Sequence, residues 1–162
     1  MSEERTLLIV KPDAMQRGLA GEILSRFERR GFTIVGCKLM QITPELAERH
    51  YGEHKGKPFY DGLVSFMTSG PVIVLAIEGP RVIEVSRRMM GATFAFKSEP
   101  GTIRGDFGAS KGLNLIHGSD SPESAARELE LFFQPGELLD WTPNNRVWSF
   151  NDEDLGSTSA AS

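Results

Sequence analysis

His117 lies in a sequence context that suits nucleophilic chemistry. It follows the apolar pair Leu115-Ile116 and precedes a Gly-Ser-Asp turn, which predicts a histidine at the end of a buried strand with one ring edge open. Imidazole is largely neutral near pH 7, so a free ring nitrogen can attack an electrophile. Spacing alone is equally compatible with a histidine that is buried in a core or fills a turn.

A carboxylate is predicted to reach this histidine from the helix that follows. On a helical wheel Glu128 lies one turn from Ala125 and Phe132, at the edge of the inward stripe, whereas Arg127 and Glu130 point outward. Such a carboxylate could accept a hydrogen bond from an imidazole N–H, which orients the ring and raises its basicity. The alternative is a partly solvated residue at the edge of the stripe.

The glycine-rich segment 100–108 could approach an anionic ligand closely. Its Arg104 offers a planar set of donors that suits phosphate oxygens. Arg87 and Arg88 end a predicted helix, and Thr93 supplies a hydroxyl just after it. For either of these two arginines alone, a solvated helix end is the simpler interpretation.

Two further pairs at helical spacing have both a functional and an ordinary interpretation. Phe59 and Leu63 could sandwich a nucleotide base by its faces, although two core residues would show the same spacing. His50 and His54 are four residues apart, but no third ligand accompanies them, so no metal site on the protein is predicted. The P-loop motif and the protein-kinase motif set are also missing from the sequence.

Hydrophobic periodicity predicts the elements that position these residues. Together they predict an α+β fold, a ferredoxin-like βαββαβ sandwich with an antiparallel four-stranded sheet, a helical insertion and a long glycine-rich loop. The predicted strands are 5–10, 32–40, 71–77 and 115–117, with 146–150 as a short strand or extended arm; the helices are 19–30, 43–51, 58–68, 82–90 and 121–133; the loop is 91–114.

Composition indicates one globular domain without a general affinity for polyanions. The chain has 162 residues and a net charge of −4, so an anionic ligand requires a local cluster of Lys and Arg. One cysteine, Cys37, favours a reducing compartment, and we expect a cytoplasmic protein without a membrane partner. Residues 1–150 are predicted to form the domain, and 151–162 an acidic, small-residue tail that is disordered.

In order and spacing, several segments over about residues 5–150 resemble the nucleoside diphosphate kinase family. The most specific is Asn114 to Asp120, which is similar to the family's active-site signature. The others are the stretches at 5–17, 49–51, 57–59, 67–71, 90–93 and 100–108.

The resemblance implies a reaction and a set of site residues. The γ-phosphoryl group of a nucleoside triphosphate, mainly ATP, would pass through a phosphohistidine at His117 to a nucleoside diphosphate, by a ping-pong mechanism with broad base tolerance. Ser119 and Glu128 would support the histidine, and Lys11 would act in catalysis as well as binding. The implied nucleotide-binding residues are Lys11, Tyr51, His54, Phe59, Leu63, Arg87, Thr93, Arg104, Lys111 and Asn114.

The resemblance also implies Mg²⁺ carried on the nucleotide phosphates and assembly into a homo-oligomer, a hexamer first, with a tetramer or dimer as alternatives. Phe94-Ala95-Phe96 departs from the family, which usually has Asn-Pro or Asp-Pro here, and Leu113 stands where many members have Arg. Because the lost proline lies in a loop thought to meet neighbouring subunits, this departure bears on assembly.

A nucleic-acid-binding module of ferredoxin-like fold is the alternative function. Residues 30–35 (Arg-Gly-Phe-Thr-Ile-Val) faintly resemble the basic-Gly-aromatic strand of RNA-binding domains. The acidic balance and the lack of further strand aromatics count against it, so no stable nucleic-acid partner is expected, although a weak secondary binding activity stays open.

Overall fold

The computed structural model describes residues 3–156 and contains one antiparallel four-stranded sheet. The strands are β1 (Arg5–Val10), β2 (Thr33–Gln41), β3 (Pro71–Glu78) and β4 (Ile116–Gly118), in the order β2-β3-β1-β4. Every neighbouring pair is antiparallel, and His117 on β4 lies opposite Ile9 on β1. The predicted ferredoxin-like α+β fold is confirmed.

The helices divide between the two faces of this sheet. Helices α2 (Ala20–Arg30) and α5 (Val82–Met90) share a core cluster with Leu8 and Leu75. Helices α3 (Pro44–His50) and α4 (Tyr60–Met67), the predicted insertion, pack on the opposite face with Leu7 and Val74. The run of apolar residues in β3 follows from this arrangement, because the strand is covered on both sides.

Capping residues determine where several of these helices begin and end. Gly31 closes α2 in the left-handed conformation, with φ of 106°. The hydroxyl oxygen of Thr43 accepts a hydrogen bond of 3.1 Å from the Leu46 amide at the start of α3. Ser121 caps α7 (Pro122–Phe132) in the same way.

The prediction of one continuous loop over 91–114 is wrong. This segment contains a 3₁₀ turn at Ala95–Lys97 and the short helix α6 (Ile103–Phe107). The density of glycine concealed the helix, because glycine inside a helix is usually unfavourable. At Gly105 a side chain would collide with the Glu99 carbonyl, so close packing requires the glycine.

Two short segments, one after β1 and one near the C-terminus, also differ from expectation. The turn after Lys11 is a short helix, α1 (Pro12–Gln16), and the segment predicted as a strand or extended arm at 146–150 contains a 3₁₀ turn at Arg146–Trp148. Residues 151–156 form a turn in which Asp154 accepts a hydrogen bond of 2.6 Å from Arg81. The rest of the predicted tail, 157–162, lies outside the described residues.

Within residues 3–156, no helix combines the length and the apolar character that spanning a membrane requires.

Candidate active site

The ring of His117 is held from one side and open on the other. Its Nε2 is hydrogen-bonded to the Oε1 atom of Glu128, which is buried on the inward face of α7. The His117 side chain is 23% exposed, and its Nδ1 makes no hydrogen bond with any residue in 3–156. The helical-wheel prediction for Glu128 is therefore confirmed in its geometry, because Arg127 and Glu130 are exposed as expected.

The chain just before His117 adopts a conformation that neighbouring side chains stabilise. Leu115 has φ of 73°, a left-handed value that is unfavourable for a residue other than glycine. Its amide donates a hydrogen bond of 3.1 Å to the Asp13 carboxylate, and its carbonyl accepts one of 2.9 Å from the Lys11 amide. These contacts hold the start of β4 against the end of β1.

Arg104 binds the same segment through its guanidinium group. The side chain is buried, and its three nitrogens donate to the carbonyl oxygens of Asn114 at 3.0 Å, Gly91 at 3.1 Å and Ile116 at 2.6 Å. Burial, with a smaller effect from Arg87, lowers the pKa of Arg104 to about 10. Arg104 therefore organises the backbone around the site and has one remaining N–H on each terminal nitrogen.

Lys11 supplies a second cation beside this segment. Its Nζ donates a hydrogen bond of 2.8 Å to the Asn114 side-chain oxygen, and the Asn114 amide group donates one of 2.9 Å to the Thr93 carbonyl. Burial is the main cause that lowers the pKa of Lys11 to about 8, and the positive charge of Arg104 adds to it. Lys11, Thr93, Arg104 and Asn114 thus form one hydrogen-bonded group.

A cavity of about 150 Å³ opens beside the His117 ring. Arg87 lies on its wall and donates a hydrogen bond of 3.0 Å to the Gly118 carbonyl, which places a cation close to the histidine. Tyr51 and His54 also line the cavity, and the buried hydroxyl of Tyr51 has no hydrogen-bond partner within residues 3–156. Burial and the charge of Glu128 raise the pKa of that hydroxyl.

The aromatic residue predicted to stack on a base is exposed at the edge of this region. Phe59 is 52% exposed, and its ring centroid lies 5.3 Å from that of His54. Leu63 is half-buried against the core, and Lys111 lies with its Nζ 5.9 Å from the centre of the Phe94 ring.

Ser119 has a structural contact of its own. Its buried hydroxyl oxygen accepts a hydrogen bond of 3.3 Å from the Leu7 amide and lies 3.4 Å from the Leu7 carbonyl oxygen. The hydroxyl therefore holds β1 against the end of β4, next to His117 in the chain.

Two residues at the site, His50 and Asp13, were not among the site residues that the sequence predicted. His50 is 4% exposed and lies with its ring centroid 4.9 Å from that of His117. Burial, with smaller effects from neighbouring positive groups, lowers the pKa of His50 to about 2, so the ring is neutral. The available signal for His50 was its position one helical turn after Ala47, which an inward-facing residue would share. For Asp13 the available signal was a carboxylate three residues after the end of the buried strand β1.

Comparison with known proteins gives a consistent result over most of the chain. The family model described as nucleoside diphosphate kinase matches residues 4–138. A nucleoside diphosphate kinase of Carboxydothermus hydrogenoformans is 61% identical over 147 residues, which cover 91% of this chain and 99% of the relative. One from Acaryochloris marina is 58% identical over 147 residues, with the same coverage.

Solved structures agree with these relatives. The halophilic nucleoside diphosphate kinase of Halobacterium salinarum in complex with CDP has a TM-score of 0.89 and 51% identity, covering 91% of this chain and 99% of its own. The nucleoside-diphosphate kinase of Borrelia burgdorferi, a transition state mimic with bound vanadate and ADP, has a TM-score of 0.85 and 34% identity, covering 89% and 95%.

Proposed function

The chain belongs to the nucleoside diphosphate kinase family, and from this we propose that His117 is the residue that carries the phosphoryl group in its reaction. The enzyme is a phosphotransferase that moves the γ-phosphoryl group of a nucleoside triphosphate to a nucleoside diphosphate. The observation that carries the proposal is the asymmetry of the His117 ring, with Nε2 bonded to Glu128 and Nδ1 without a partner among the described residues.

In the first half-reaction, the Nδ1 lone pair attacks the γ-phosphorus and a new N–P bond forms. The bond from this phosphorus to the bridging oxygen breaks, and the nucleoside diphosphate leaves with that electron pair. Glu128 keeps its hydrogen bond to the Nε2 proton, so its negative charge offsets the positive charge that develops on the ring. In the second half-reaction, a terminal oxygen of another diphosphate attacks phosphorus, the N–P bond breaks, and its electron pair returns to Nδ1, which restores His117.

Positioning and charge account for the remaining catalysis, because the transition state of phosphoryl transfer is loose and anionic. Arg87 lies on the cavity wall beside His117, where it can approach the transferred group. Lys11 and the unused N–H groups of Arg104 provide further donors, with Asn114 holding Lys11 in place. Thr93, Tyr51 and His54 complete the proposed phosphate contacts.

The base is proposed to stack on Phe59, with Leu63 and Lys111 on the opposite side. Stacking uses the face that every base has, so it supports broad base tolerance with ATP as the main donor. The CDP bound in the Halobacterium salinarum structure and the ADP in the Borrelia burgdorferi structure support nucleotide binding here, for a pyrimidine and a purine respectively.

Mg²⁺ is proposed to accompany the nucleotide. The carboxylates that line the cavity outside the His117–Glu128 pair are Asp120 and Glu53, too few for a site made only by protein oxygens. This donor set fits an ion that keeps several waters and binds through phosphate oxygens, and Asp120 and Glu53 would be the residues that hold such a hydrated ion. When bound, the ion neutralises phosphate charge.

Assembly and location complete the proposal. We propose that residues 1–150 form the catalytic domain and assemble into a homo-oligomer, a hexamer first, with a tetramer or dimer as alternatives. The exposed Phe94 and Phe96, whose rings stack 6.2 Å apart, are the apolar surface that departs from the family pattern, and gel filtration with light scattering measures the outcome. The single cysteine supports a cytoplasmic location.

Direct labelling tests the role of His117. Wild-type protein incubated with γ-labelled ATP is expected to gain one acid-labile phosphoryl group, which GDP or CDP then removes. His117→Ala is expected to gain none, whereas the control Glu130→Ala, at an exposed position on α7, still takes the label. Phosphorus NMR of the labelled protein is expected to show substitution at Nδ1. Label on His117→Ala, or substitution at Nε2, would contradict the proposal.

A further inference from the structure

His50 is a buried group to which the phosphotransfer mechanism gives no task. The residue is 4% exposed, and neither ring nitrogen has a hydrogen-bond partner within residues 3–156. A buried polar atom without a hydrogen-bond partner is unfavourable, so two on one ring require an explanation. The ring borders the cavity beside His117, from which a ligand could reach it.

Three possible ligand atoms converge at this place. His50, His117 and Glu128 each offer one nitrogen or oxygen atom, and all three atoms lie within 4.8 Å of one another. The Nδ1 of His50 is 3.9 Å from the Oε1 of Glu128, and the two imidazole rings meet edge to face at 84°. A tetrahedral zinc ion with bonds of about 2.0–2.2 Å needs ligand atoms roughly 3–4 Å apart, so small side-chain rotations suffice.

We propose that His50, His117 and Glu128 form a binding site for a divalent transition-metal ion, with zinc as the expected ion. Two imidazoles and one glutamate are a ligand set found in zinc enzymes, where a fourth position is left open. Here the cavity supplies the open position, since all three residues line it. Imidazole nitrogen favours zinc over magnesium, so the site is distinct in chemistry from an ion carried on nucleotide phosphates.

Nearby positive charge moderates the affinity of this site. Arg87 and Arg127 line the same cavity, and the positive charge of Lys11 also acts on His50. Each repels a dication, so we expect binding weaker than at a structural zinc site, and reversible with a chelator.

Occupancy of the site opposes phosphorylation, a consequence that rests on the proposed function. The ion takes the Glu128 carboxylate and the His117 nitrogen into its coordination shell, which removes the hydrogen bond that orients the nucleophile. Zinc is therefore expected to inhibit labelling by γ-labelled ATP, and raising Mg²⁺ alone is not expected to reverse the inhibition.

Metal binding without nucleotide tests the site independently of activity. Cobalt(II) serves as the probe, because tetrahedral coordination gives visible absorption bands, and zinc is then added to displace it. Wild type is expected to bind one cobalt ion per chain. His50→Gln and Glu128→Gln are expected to bind at least about 10–100-fold more weakly, the range seen even for loss of an outer-shell partner. His54→Gln, on the cavity rim, is the matched control and is expected to bind like wild type.

Wild type without visible bands, or His50→Gln binding as tightly as wild type, would refute the site. Should both glutamine variants fail to fold, anomalous scattering at the zinc edge from wild-type crystals decides, with a peak between His50, His117 and Glu128 expected. A peak elsewhere, or none, rejects the proposal. Cobalt binding with no phosphohistidine label would instead reject the proposed function and leave the metal site standing.

Discussion

The contact between Glu128 and His117 allows a graded test of the mechanism. Replacing Glu128 with alanine removes the only carboxylate that is hydrogen-bonded to the ring within residues 3–156, while Glu128→Gln keeps a neutral acceptor of nearly the same shape. Because Glu128 is buried on α7, solvent screens its interaction with the ring only weakly. The two variants therefore separate the effect of charge from that of geometry.

The expected magnitudes follow from the strength of a charge-assisted hydrogen bond. Such a bond contributes about 1.5–3 kcal/mol, and 1.36 kcal/mol corresponds to about tenfold in rate, so Glu128→Ala should slow phosphorylation about 10- to 150-fold. Neutral hydrogen bonds are roughly half as strong, so Glu128→Gln should slow phosphorylation about 4- to 13-fold. The nucleotide KM should change little, because the bond acts on the nucleophile.

Rapid-quench measurement of a single turnover with γ-labelled ATP gives the rate of phosphorylation directly. Glu130→Ala, an exposed carboxylate on the same helix, is the control and should stay within about twofold of wild type. Urea unfolding of each variant shows whether the fold persists. If Glu128→Ala phosphorylates within about threefold of wild type, or if Glu130→Ala falls as far, the assignment of Glu128 as the orienting group is refuted.

Three further predictions concern the cationic side chains Lys11 and Arg104 and the proposed base-stacking residue Phe59. Since burial lowers the pKa of Lys11 to about 8, kcat/KM should fall as pH rises through 8, and Lys11→Arg should remove that fall; an unchanged pH profile in Lys11→Arg would contradict the catalytic role of Lys11. The free energy of unfolding should instead rise between pH 8 and 10.5, because the unfolded chain binds more protons than the folded chain in this range. Arg104→Lys replaces three donor nitrogens with one that cannot reach all three carbonyl oxygens, so it should lower the free energy of unfolding by about 2–4 kcal/mol in urea titration. The exposed Arg88→Lys should change it little, and equal effects would contradict the structural role of Arg104. Phe59→Ala should raise KM about fivefold or more for ADP and CDP alike, since stacking contributes about 1–3 kcal/mol per base, and a loss confined to purines would indicate specific base recognition.

The sequence determined the features that depend on local spacing. The continuous apolar run of β3 is typical of a strand covered on both faces, and the residue types at Thr43, Gly31 and Ser121 are those that begin or end helices. Glu128 was predicted to face inward from its place on a helical wheel. Each of these signals acts within a few residues of the chain, so neighbouring residue types suffice to reveal it.

Only the tertiary structure decided which distant residues meet. His50 lies 67 positions before His117 in the numbering, yet their rings are in edge-to-face contact, because α3 packs on the sheet face from which the His117 ring projects. The prediction that Arg104 binds phosphate came from its residue type, whereas only the fold revealed that its three nitrogens also donate to the carbonyl oxygens of Asn114, Gly91 and Ile116. Glycines in 91–114 suggested a loop, but the approach of the Glu99 carbonyl to Gly105 shows a tightly packed helix. Such contacts depend on how whole elements pack, and a pattern confined to one segment carries no information about its partner across the fold.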